Sequence, residues 1–386
     1  MSTEQTDKPS SRDRHLFGPG PKRILSLDGG GVRGAISIAF LERLEKIVEE
    51  IEGRPTLLGD WFDLIGGTST GAIIAGALAL GYRAADIHEF YHRLGHRVFR
   101  RSFWRIAGLM SKFDRNNLIG ELDAVLGERE LGSDDLRTGL GLVTKRLDTG
   151  SCWFIANNPK SRYWDDPADQ HYVGNRRYRL SRLVRASAAA PHYFDPELIR
   201  IVETEPPGLF IDGALTPHNN PALQLLLYVA LPQYGLAWPL GAKNLTIVSV
   251  GTGYSRPRVR LRELRWIRPL GMAVRALGAQ VAESQQLVLT LMSWLGDTPT
   301  VWPINRELGD VASVPAPFGQ PLFRFLRYDI GLEQDWLDRE LGVSIDERLL
   351  ARYRLIDAPE NIPAIYALAA QSAERQIRRE HLVSGE

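Results

Sequence analysis

Residues 22–34 read KRILSLDGGGVRG, an apolar run that passes directly into three consecutive glycines. The run from 23 to 27 predicts a buried β-strand, and a helical pattern from 35 to 51 follows the glycines. Glycines at the start of a helix leave backbone N–H groups exposed, and such groups can bind an anion. The stretch therefore predicts a strand, an anion-binding turn and a helix.

A second turn, Gly67-Thr68-Ser69-Thr70-Gly71, follows the apolar run from 62 to 65. Its G-x-S-x-G pattern is typical of a nucleophile elbow, in which glycines permit the sharp turn that raises a serine hydroxyl above a sheet. A serine becomes an effective nucleophile only when a base accepts its proton. Because an anion-binding turn and an activated serine are the two halves of an acyl-transfer site, the pair predicts Ser69 as a nucleophile.

Strand-like and helical segments alternate along much of the chain. Further strand-like runs lie at 139–145, 152–156, 208–211 and 244–250. Helical patterns lie at 72–80, 84–99, 180–189 and 222–231. This alternation predicts a parallel or mixed sheet with helices on both faces. Beyond residue 254 come an arginine-rich stretch, a long helical pattern at 270–295, and a part rich in Trp and Pro.

The composition is that of an ordinary globular protein, with 44% hydrophobic residues, 24% charged residues and a formal net charge of +1. Nothing in the overall charge favours a nucleic-acid partner. Cys152 is the single cysteine, which excludes an intramolecular disulfide and a multi-cysteine zinc site. Residues 1–21 are polar and lack an apolar secretory segment, so we expect a disordered tail and a cytoplasmic location. The uncharged stretch 64–82 contains the second turn and is interpreted as strand, turn and helix, not as a membrane span.

The residue pattern alone leaves the base for Ser69 open. Asp212-Gly213-Ala214 follows the apolar run from 209 to 211, and a strand-end aspartate is well placed to reach a strand-end serine. A Ser-His-Asp triad would instead need a histidine, and His192 and His218 are the histidines in suitable loops.

Two further patterns suggest other chemistry but lack supporting features. Gly29-x-Gly31-x-x-Gly34 matches a dinucleotide-binding fingerprint, yet no acidic residue ends a second strand about 20 positions later. His88-Glu89-x-x-His92 has the H-E-x-x-H form of zinc proteases, with His96 one helical turn further on. The segment 84–99 nevertheless reads as an ordinary amphipathic helix. We expect neither a metal nor a cofactor.

Taken in order, the motifs resemble those of the patatin-like phospholipase family. The matching segments are the glycine-rich loop 28–34, the elbow 67–71, the small-residue block 186–191 (ASAAAP) and the DGA box 212–214. The resemblance implies an α/β class protein with a three-layer α/β/α fold and a central, mostly parallel sheet. It further implies a catalytic core at 22–225 and a helical C-terminal region at 226–386 that packs on this core.

The resemblance also implies a serine–aspartate dyad that uses no histidine. Ser69 would attack an ester carbonyl, and Asp212 would act as the general base, first for Ser69 and then for water. The N–H groups of Gly29, Gly30 and Gly31 would bind the oxyanion. The supporting motif positions are Asp28, Arg33, Gly34, Gly67, Gly71 and Gly213.

The function that follows from the resemblance is that of a lipid acyl hydrolase of the phospholipase A or lysophospholipase type. The expected partners are a phospholipid or other acyl-ester substrate and, transiently, a membrane surface, with peripheral attachment from the cytoplasm. The basic and aromatic stretches 97–113 and 256–268 are candidates for contact with anionic head groups. Two alternatives remain open, namely hydrolysis triggered by a cyclic-nucleotide activator and a catalytically silent lipid-binding protein.

Overall fold

An eight-stranded sheet runs through the computed structural model, which describes residues 9–98, 115–169, 171–256 and 269–383. Its strands are β1 (Lys22–Leu27), β2 (Leu64–Thr68), β3 (Gly139–Arg146), β4 (Cys152–Ala156), β5 (Glu197–Ile199), β6 (Gly208–Asp212), β7 (Leu245–Val250) and β8 (Arg324–Tyr328). Seven of them lie in the order β5-β6-β3-β2-β1-β7-β8, and β4 pairs with β3 outside this path.

The middle of the sheet is parallel, and one side is antiparallel. Strands β3, β2, β1, β7 and β8 all run in one direction, whereas β4 and β6 run antiparallel to β3. In the β1–β2 register, Leu27 lies opposite Gly67. Because parallel strands end at the same edge of a sheet, the turns that follow β1 and β2 lie side by side.

Helices cover both faces of the sheet. The described helices are α1 (Ser11–Phe17), α2 (Gly34–Glu52), α3 (Leu58–Trp61), α4 (Thr70–Ala79), α5 (Ala84–Val98), α6 (Arg115–Leu126), α7 (Leu180–Ser187), α8 (Ala222–Ala230), α9 (Pro269–Leu295), α10 (Gln334–Leu341), α11 (Glu347–Tyr353), α12 (Ile362–Gln376) and α13 (Arg379–Leu382).

Successive side chains of the central strands enter two separate cores. Leu25 and Val248 pack in the core formed with α2, α4, α5 and α12. Their neighbours Ile24 and Ile247 pack in the core formed with α1, α8 and α9. A strand buried on both faces needs apolar residues at consecutive positions, which explains the continuous runs in the sequence. The expected three-layer α/β/α arrangement around a mostly parallel sheet is confirmed.

The polar segment 1–21, expected to be disordered, is structured in its second half. Helix α1 begins after Ser10, whose side chain accepts a hydrogen bond from the backbone N–H of Asp13. Leu16 is only 2% exposed and packs in the core that contains α8 and α9. A buried leucine, an N-cap and hydrogen bonds from Lys22 and Trp238 to the end of the helix therefore hold a segment whose composition indicated disorder.

Several strand limits also differ from the sequence prediction. Strand β2 begins at Leu64 and continues to Thr68, and the short helix α3 precedes it. Strands β5 and β8 were not predicted. The first has only three residues, and the second, RFLRY, carries a fully buried arginine that breaks its apolar pattern. Local composition cannot reveal such strands because their partners supply the stabilisation.

Within the described ranges, no helix is both long and apolar enough to cross a membrane. The predicted helix at 270–295 is present as α9, which begins one residue earlier. The basic and aromatic stretches 97–113 and 256–268 fall almost wholly outside the described residues.

A buried ion cluster ties β8 to the residue that precedes the glycine turn. The Arg327 guanidinium donates to the two carboxylate oxygens of Asp28 at 3.1 and 2.7 Å, and to Asp329 at 2.7 Å. All three side chains are at most 1% exposed. Burial lowers the pKa of Arg327, but the two carboxylates raise it more, so the guanidinium stays charged. The C-terminal part of the chain is thereby anchored at the edge where the two turns lie.

Replacing Arg327 should destabilise the fold strongly. Arg327→Met leaves two buried carboxylates without their counter-charge, a change that costs about 3–5 kcal/mol. Arg339→Met is the matched control, because the ion pair of Arg339 with Glu340 is on the surface, with side chains 62% and 47% exposed. Loss of such a pair costs about 1 kcal/mol or less. Urea unfolding measures both variants, and equal losses of stability would contradict the structural role of the cluster.

Candidate active site

Ser69 occupies a strained turn between β2 and α4. Its φ is +56°, a left-handed value that is unfavourable for any residue other than glycine. Two glycines make the turn possible. A Cβ on Gly67 would lie 2.1 Å from the carbonyl oxygen of Gly71, and a Cβ on Gly71 would lie 2.2 Å from the carbonyl oxygen of Leu27. The G-x-S-x-G pattern thus forms the sharp strand-to-helix turn that the sequence predicted.

Asp212 ends β6 and faces Ser69. The Ser69 hydroxyl donates to Asp212 Oδ2 at 2.6 Å, and Asp212 Oδ1 accepts from the backbone N–H of Ala214 at 2.8 Å. Gly213 lets the chain turn beside β3, because a Cβ there would lie 2.3 Å from the carbonyl oxygen of Val143. The two residues are 143 positions apart in the sequence, and the antiparallel β3–β6 pairing brings them together.

The surroundings of Asp212 make its carboxylate more basic than usual. Its side chain is 3% exposed, and burial raises the pKa of Asp212 to about 6. Hydrogen bonds from Ser69 and Ala214 and the positive charge of Arg185 act in the opposite direction but do not outweigh burial. Near neutral pH the carboxylate is still mostly ionised, and it can accept a proton from the serine hydroxyl.

Ser187, at the end of α7, holds the backbone of the nucleophile turn. Its hydroxyl accepts a hydrogen bond from the backbone N–H of Ser69 at 2.8 Å and donates to the carbonyl of Val143 at 2.6 Å. It is fully buried. The block 186–191 was predicted only as part of a family resemblance, although its one hydroxyl between alanines was the signal that could have identified this role.

Gly29 begins the glycine turn directly against the nucleophile. A Cβ on Gly29 would lie 3.2 Å from the Cβ of Ser69. The N–H of Gly29, however, donates to the carbonyl of Asn219 at 3.1 Å, and its carbonyl accepts from the Thr252 hydroxyl at 2.9 Å. The expectation that this N–H binds an oxyanion therefore needs correction, because a backbone carbonyl already occupies it.

Gly30 and Gly31 continue the turn at positions where neighbouring atoms leave no room for a side chain. A Cβ on Gly30 would lie 2.2 Å from the Thr252 hydroxyl oxygen, and one on Gly31 would lie 2.2 Å from the carbonyl oxygen of Ile356. Gly31 also has a φ of +59°. Among the hydrogen bonds of the described residues, none uses the backbone N–H of Gly30 or Gly31. These two donors are thus available to an anion.

The remaining positions of the first motif lie among side chains from other parts of the fold. Asp28 points to Arg327 and also accepts a hydrogen bond from Gln285 at 2.7 Å. Burial lowers the pKa of Arg33, and the charge of Asp329 acts against that shift. Gly34 begins α2, and a Cβ there would lie 2.6 Å from the hydroxyl oxygens of both Thr70 and Tyr91. The sequence patterns did not predict Asn219, Gln285, Thr252 and Arg327, which act through tertiary contacts.

No histidine of the described residues hydrogen-bonds to Ser69 or Asp212. The carbonyl of His218 accepts from the Thr68 hydroxyl at 2.7 Å, and burial lowers the pKa of its ring. In the H-E-x-x-H segment, His88 Nδ1 lies 3.2 Å from Glu42. The described part of the chain contains no group of three His, Cys, Asp or Glu side chains arranged to hold a metal ion.

Individual proteins similar to this chain are phospholipases and patatins by name. A "cGAMP-activated phospholipase" of Vibrio cholerae serotype O1 is 29% identical over 283 residues, which cover 69% of this chain and 75% of that protein. "Patatin-like protein 1" of Arabidopsis thaliana is 28% identical over 257 residues, and the match spans 59% of its length. The match to the solved structure of human GIVD cytosolic phospholipase A2 covers 96% of this chain and 59% of the human chain. The sequence identity is 11% and the TM-score is 0.42.

The family model described as "Patatin-like phospholipase" matches residues 25–226, more than half of the chain. The match begins in β1 and ends in α8, so it contains both glycine turns, Ser69 and Asp212. The chain therefore belongs to the patatin-like phospholipase family, a family of lipid acyl hydrolases.

Proposed function

We propose that this protein hydrolyses the carboxylic esters of glycerophospholipids through a Ser69–Asp212 dyad. The observation that carries the proposal is the 2.6 Å hydrogen bond from the Ser69 hydroxyl to the buried carboxylate of Asp212. A nucleophile in a strained elbow that donates to a base of raised pKa is poised for acyl transfer.

In the first half of the reaction, Ser69 Oγ attacks the ester carbonyl carbon while Asp212 Oδ2 accepts its proton. Negative charge develops on the carbonyl oxygen, and the N–H groups of Gly30 and Gly31 stabilise it. Collapse of this tetrahedral species breaks the ester C–O bond. The departing alcohol takes the proton from Asp212, which leaves an acyl group on Ser69.

In the second half, a water molecule attacks the acyl-enzyme. Asp212 accepts a proton from this water, the same two N–H groups stabilise the second oxyanion, and collapse releases the fatty acid. The proton on Asp212 then returns to Ser69 Oγ. One carboxylate thus serves both steps, and loss of one oxyanion donor typically costs about 10²–10³-fold in rate.

The substrate class is proposed from the family and from the names of the relatives. The Vibrio relative is named a phospholipase, which favours a phospholipid ester over a small soluble one. Substrates of this kind reside in membranes, so the protein would act at a membrane surface as a peripheral enzyme in the cytoplasm.

A second candidate function adds a trigger to the same chemistry. The Vibrio relative is named for activation by cGAMP, and its match extends over 75% of its length, beyond the catalytic motifs. Hydrolysis of phosphatidylglycerol-containing vesicles, measured with and without cGAMP, distinguishes triggered from constitutive activity.

Ser69→Ala should abolish hydrolysis, because the variant keeps the turn but loses the nucleophile. We expect the rate to fall by about 10⁴-fold or more. Fatty-acid release from those vesicles, followed by mass spectrometry with and without the cyclic dinucleotide, is the measurement. Ser151→Ala is the control and should match wild type, because the Ser151 hydroxyl is exposed and hydrogen-bonds to that of Thr149. Equal fatty-acid release by wild type and Ser69→Ala would support the silent lipid-binding alternative.

Asp212→Asn should remove turnover while the fold is retained. The amide cannot accept the Ser69 proton, so we expect a loss of about 10³-fold or more. The pKa of Asp212 is about 6 in the folded protein and 3.8 ordinarily, so ionising this carboxyl group destabilises the fold. The loss is about 3 kcal/mol above pH 6, and it vanishes below pH 4, where the group is protonated in both states. The melting temperature of Asp212→Asn at pH 7 should therefore not be lower than that of wild type.

The same carboxylate sets the pH dependence of the wild-type enzyme. The rate with p-nitrophenyl butyrate should fall about tenfold per pH unit below pH 6, as Asp212 becomes protonated. Asp148→Asn is the control, because Asp148 pairs with Arg146 and hydrogen-bonds to neither Ser69 nor Asp212, so both rate and profile should stay unchanged. Substantial turnover by Asp212→Asn would overturn the dyad and make His218 or His192 the candidates.

A further inference from the structure

Tyr91 lies in α5, within the segment whose H-E-x-x-H pattern the proposed function does not use. Its side chain is only 2% exposed. Burial raises the pKa of Tyr91, so its hydroxyl remains protonated throughout the working range. A buried, protonated tyrosine hydroxyl needs hydrogen-bond partners, and those of Tyr91 are the Gly31 carbonyl, the Thr70 hydroxyl and the Gly34 backbone, all in the two motif segments.

The hydroxyl of Tyr91 connects these turns by donating one hydrogen bond and accepting another. It donates to the carbonyl of Gly31 in the glycine turn. Because its only proton is used there, the hydroxyl of Thr70 is the donor in the 2.6 Å contact between Thr70 Oγ1 and Tyr91. Thr70 directly follows Ser69. A chain of two hydrogen bonds therefore runs from the residue after the nucleophile to the proposed oxyanion loop.

The glycine turn needs such a support because glycines do not hold a conformation by themselves. Its far side is fixed where the N–H of Val32 donates to the carbonyl of Ile356 at 2.9 Å. On the side of the nucleophile, the Tyr91 hydroxyl meets the carbonyl of Gly31, whose φ of +59° sets the direction of the turn. Rotation of this segment would change the direction of the Gly30 and Gly31 N–H groups.

We propose that Tyr91 is a positioning residue that fixes the Gly30–Gly31 donors relative to Ser69. The inference rests on the proposed function, since these donors matter only if an oxyanion forms beside Ser69. A misplacement of about 1 Å can cost up to about 10²-fold in rate, so one missing hydroxyl should cost about tenfold. The effect acts on the transition state, where the oxyanion exists, and not on substrate binding.

Tyr91→Phe tests this role with p-nitrophenyl butyrate as a monomeric substrate. We expect kcat to fall about tenfold with KM unchanged. Thr70→Val removes the other hydrogen bond of the pair, and it should also lower kcat and leave KM unchanged. The double variant should be no slower than the more severe single variant, because both changes break one chain. A rise in KM with unchanged kcat, or fully additive losses, would overturn the proposal.

Tyr82→Phe is the matched control. Its hydroxyl also donates to a backbone carbonyl, that of Val125 at 3.1 Å, but it contacts neither motif turn. This control should keep the wild-type kcat. If Tyr82→Phe and Tyr91→Phe lower kcat equally, the effect is one of general packing and the positioning role is wrong.

Hydrogen exchange gives a readout that does not depend on catalysis. Backbone amides of residues 28–34 should exchange faster in Tyr91→Phe than in wild type or in Tyr82→Phe. Unchanged exchange would contradict the proposal whether or not the protein is active. If exchange is faster in Tyr91→Phe but the wild-type protein shows no Ser69-dependent hydrolysis, Tyr91 still holds the glycine turn. That outcome refutes only the proposed function.

Discussion

The parallel pairing of β1 with β2 is the constraint on which the rest of the site depends. With Leu27 opposite Gly67, the two strands end at the same edge, so the glycine turn and the nucleophile turn are neighbours. Their approach is so close that a Cβ on Gly71 would collide with the carbonyl of Leu27. Because both strands are buried on two faces, slippage by one residue would exchange the side chains of two cores. Core packing therefore fixes the geometry of the site.

Residues far from the motifs complete this arrangement. Arg327 and Gln285 hold Asp28 from β8 and α9, Thr252 and Asn219 hold Gly29, and Ile356 holds Val32. The C-terminal part of the chain thus supplies strands β7 and β8 of the sheet, and it also contacts the glycine turn. Burial of this ion cluster costs desolvation energy, and removal of one partner would leave an uncompensated buried charge. Here the ions of the cluster adjoin the glycine turn whose N–H groups we propose as the oxyanion donors.

The sequence predicts the features that depend on neighbouring residues and misses those that depend on contacts between distant parts of the chain. The elbow of Ser69 and the glycine turn are local patterns of apolar run, glycine and helix, and they were predicted at their correct positions. Asp212 was identified as a strand-end residue, but only the resemblance favoured it over His192 and His218. Ser187 and Arg327 were missed because their partners lie 118 and 299 positions away. The use of the Gly29 N–H by Asn219 was likewise a tertiary contact with no local signal.

The central claim is that Ser69 is a nucleophile activated by a histidine-free contact with Asp212. Incubation with a fluorophosphonate, which forms a covalent bond to an activated serine, tests it most directly when followed by digestion and mass spectrometry of the peptides. The account predicts a single adduct on the peptide that contains Ser69, formed rapidly by wild type and at a greatly reduced rate by Asp212→Asn. An adduct on another residue, or equal rates in the two proteins, would contradict it.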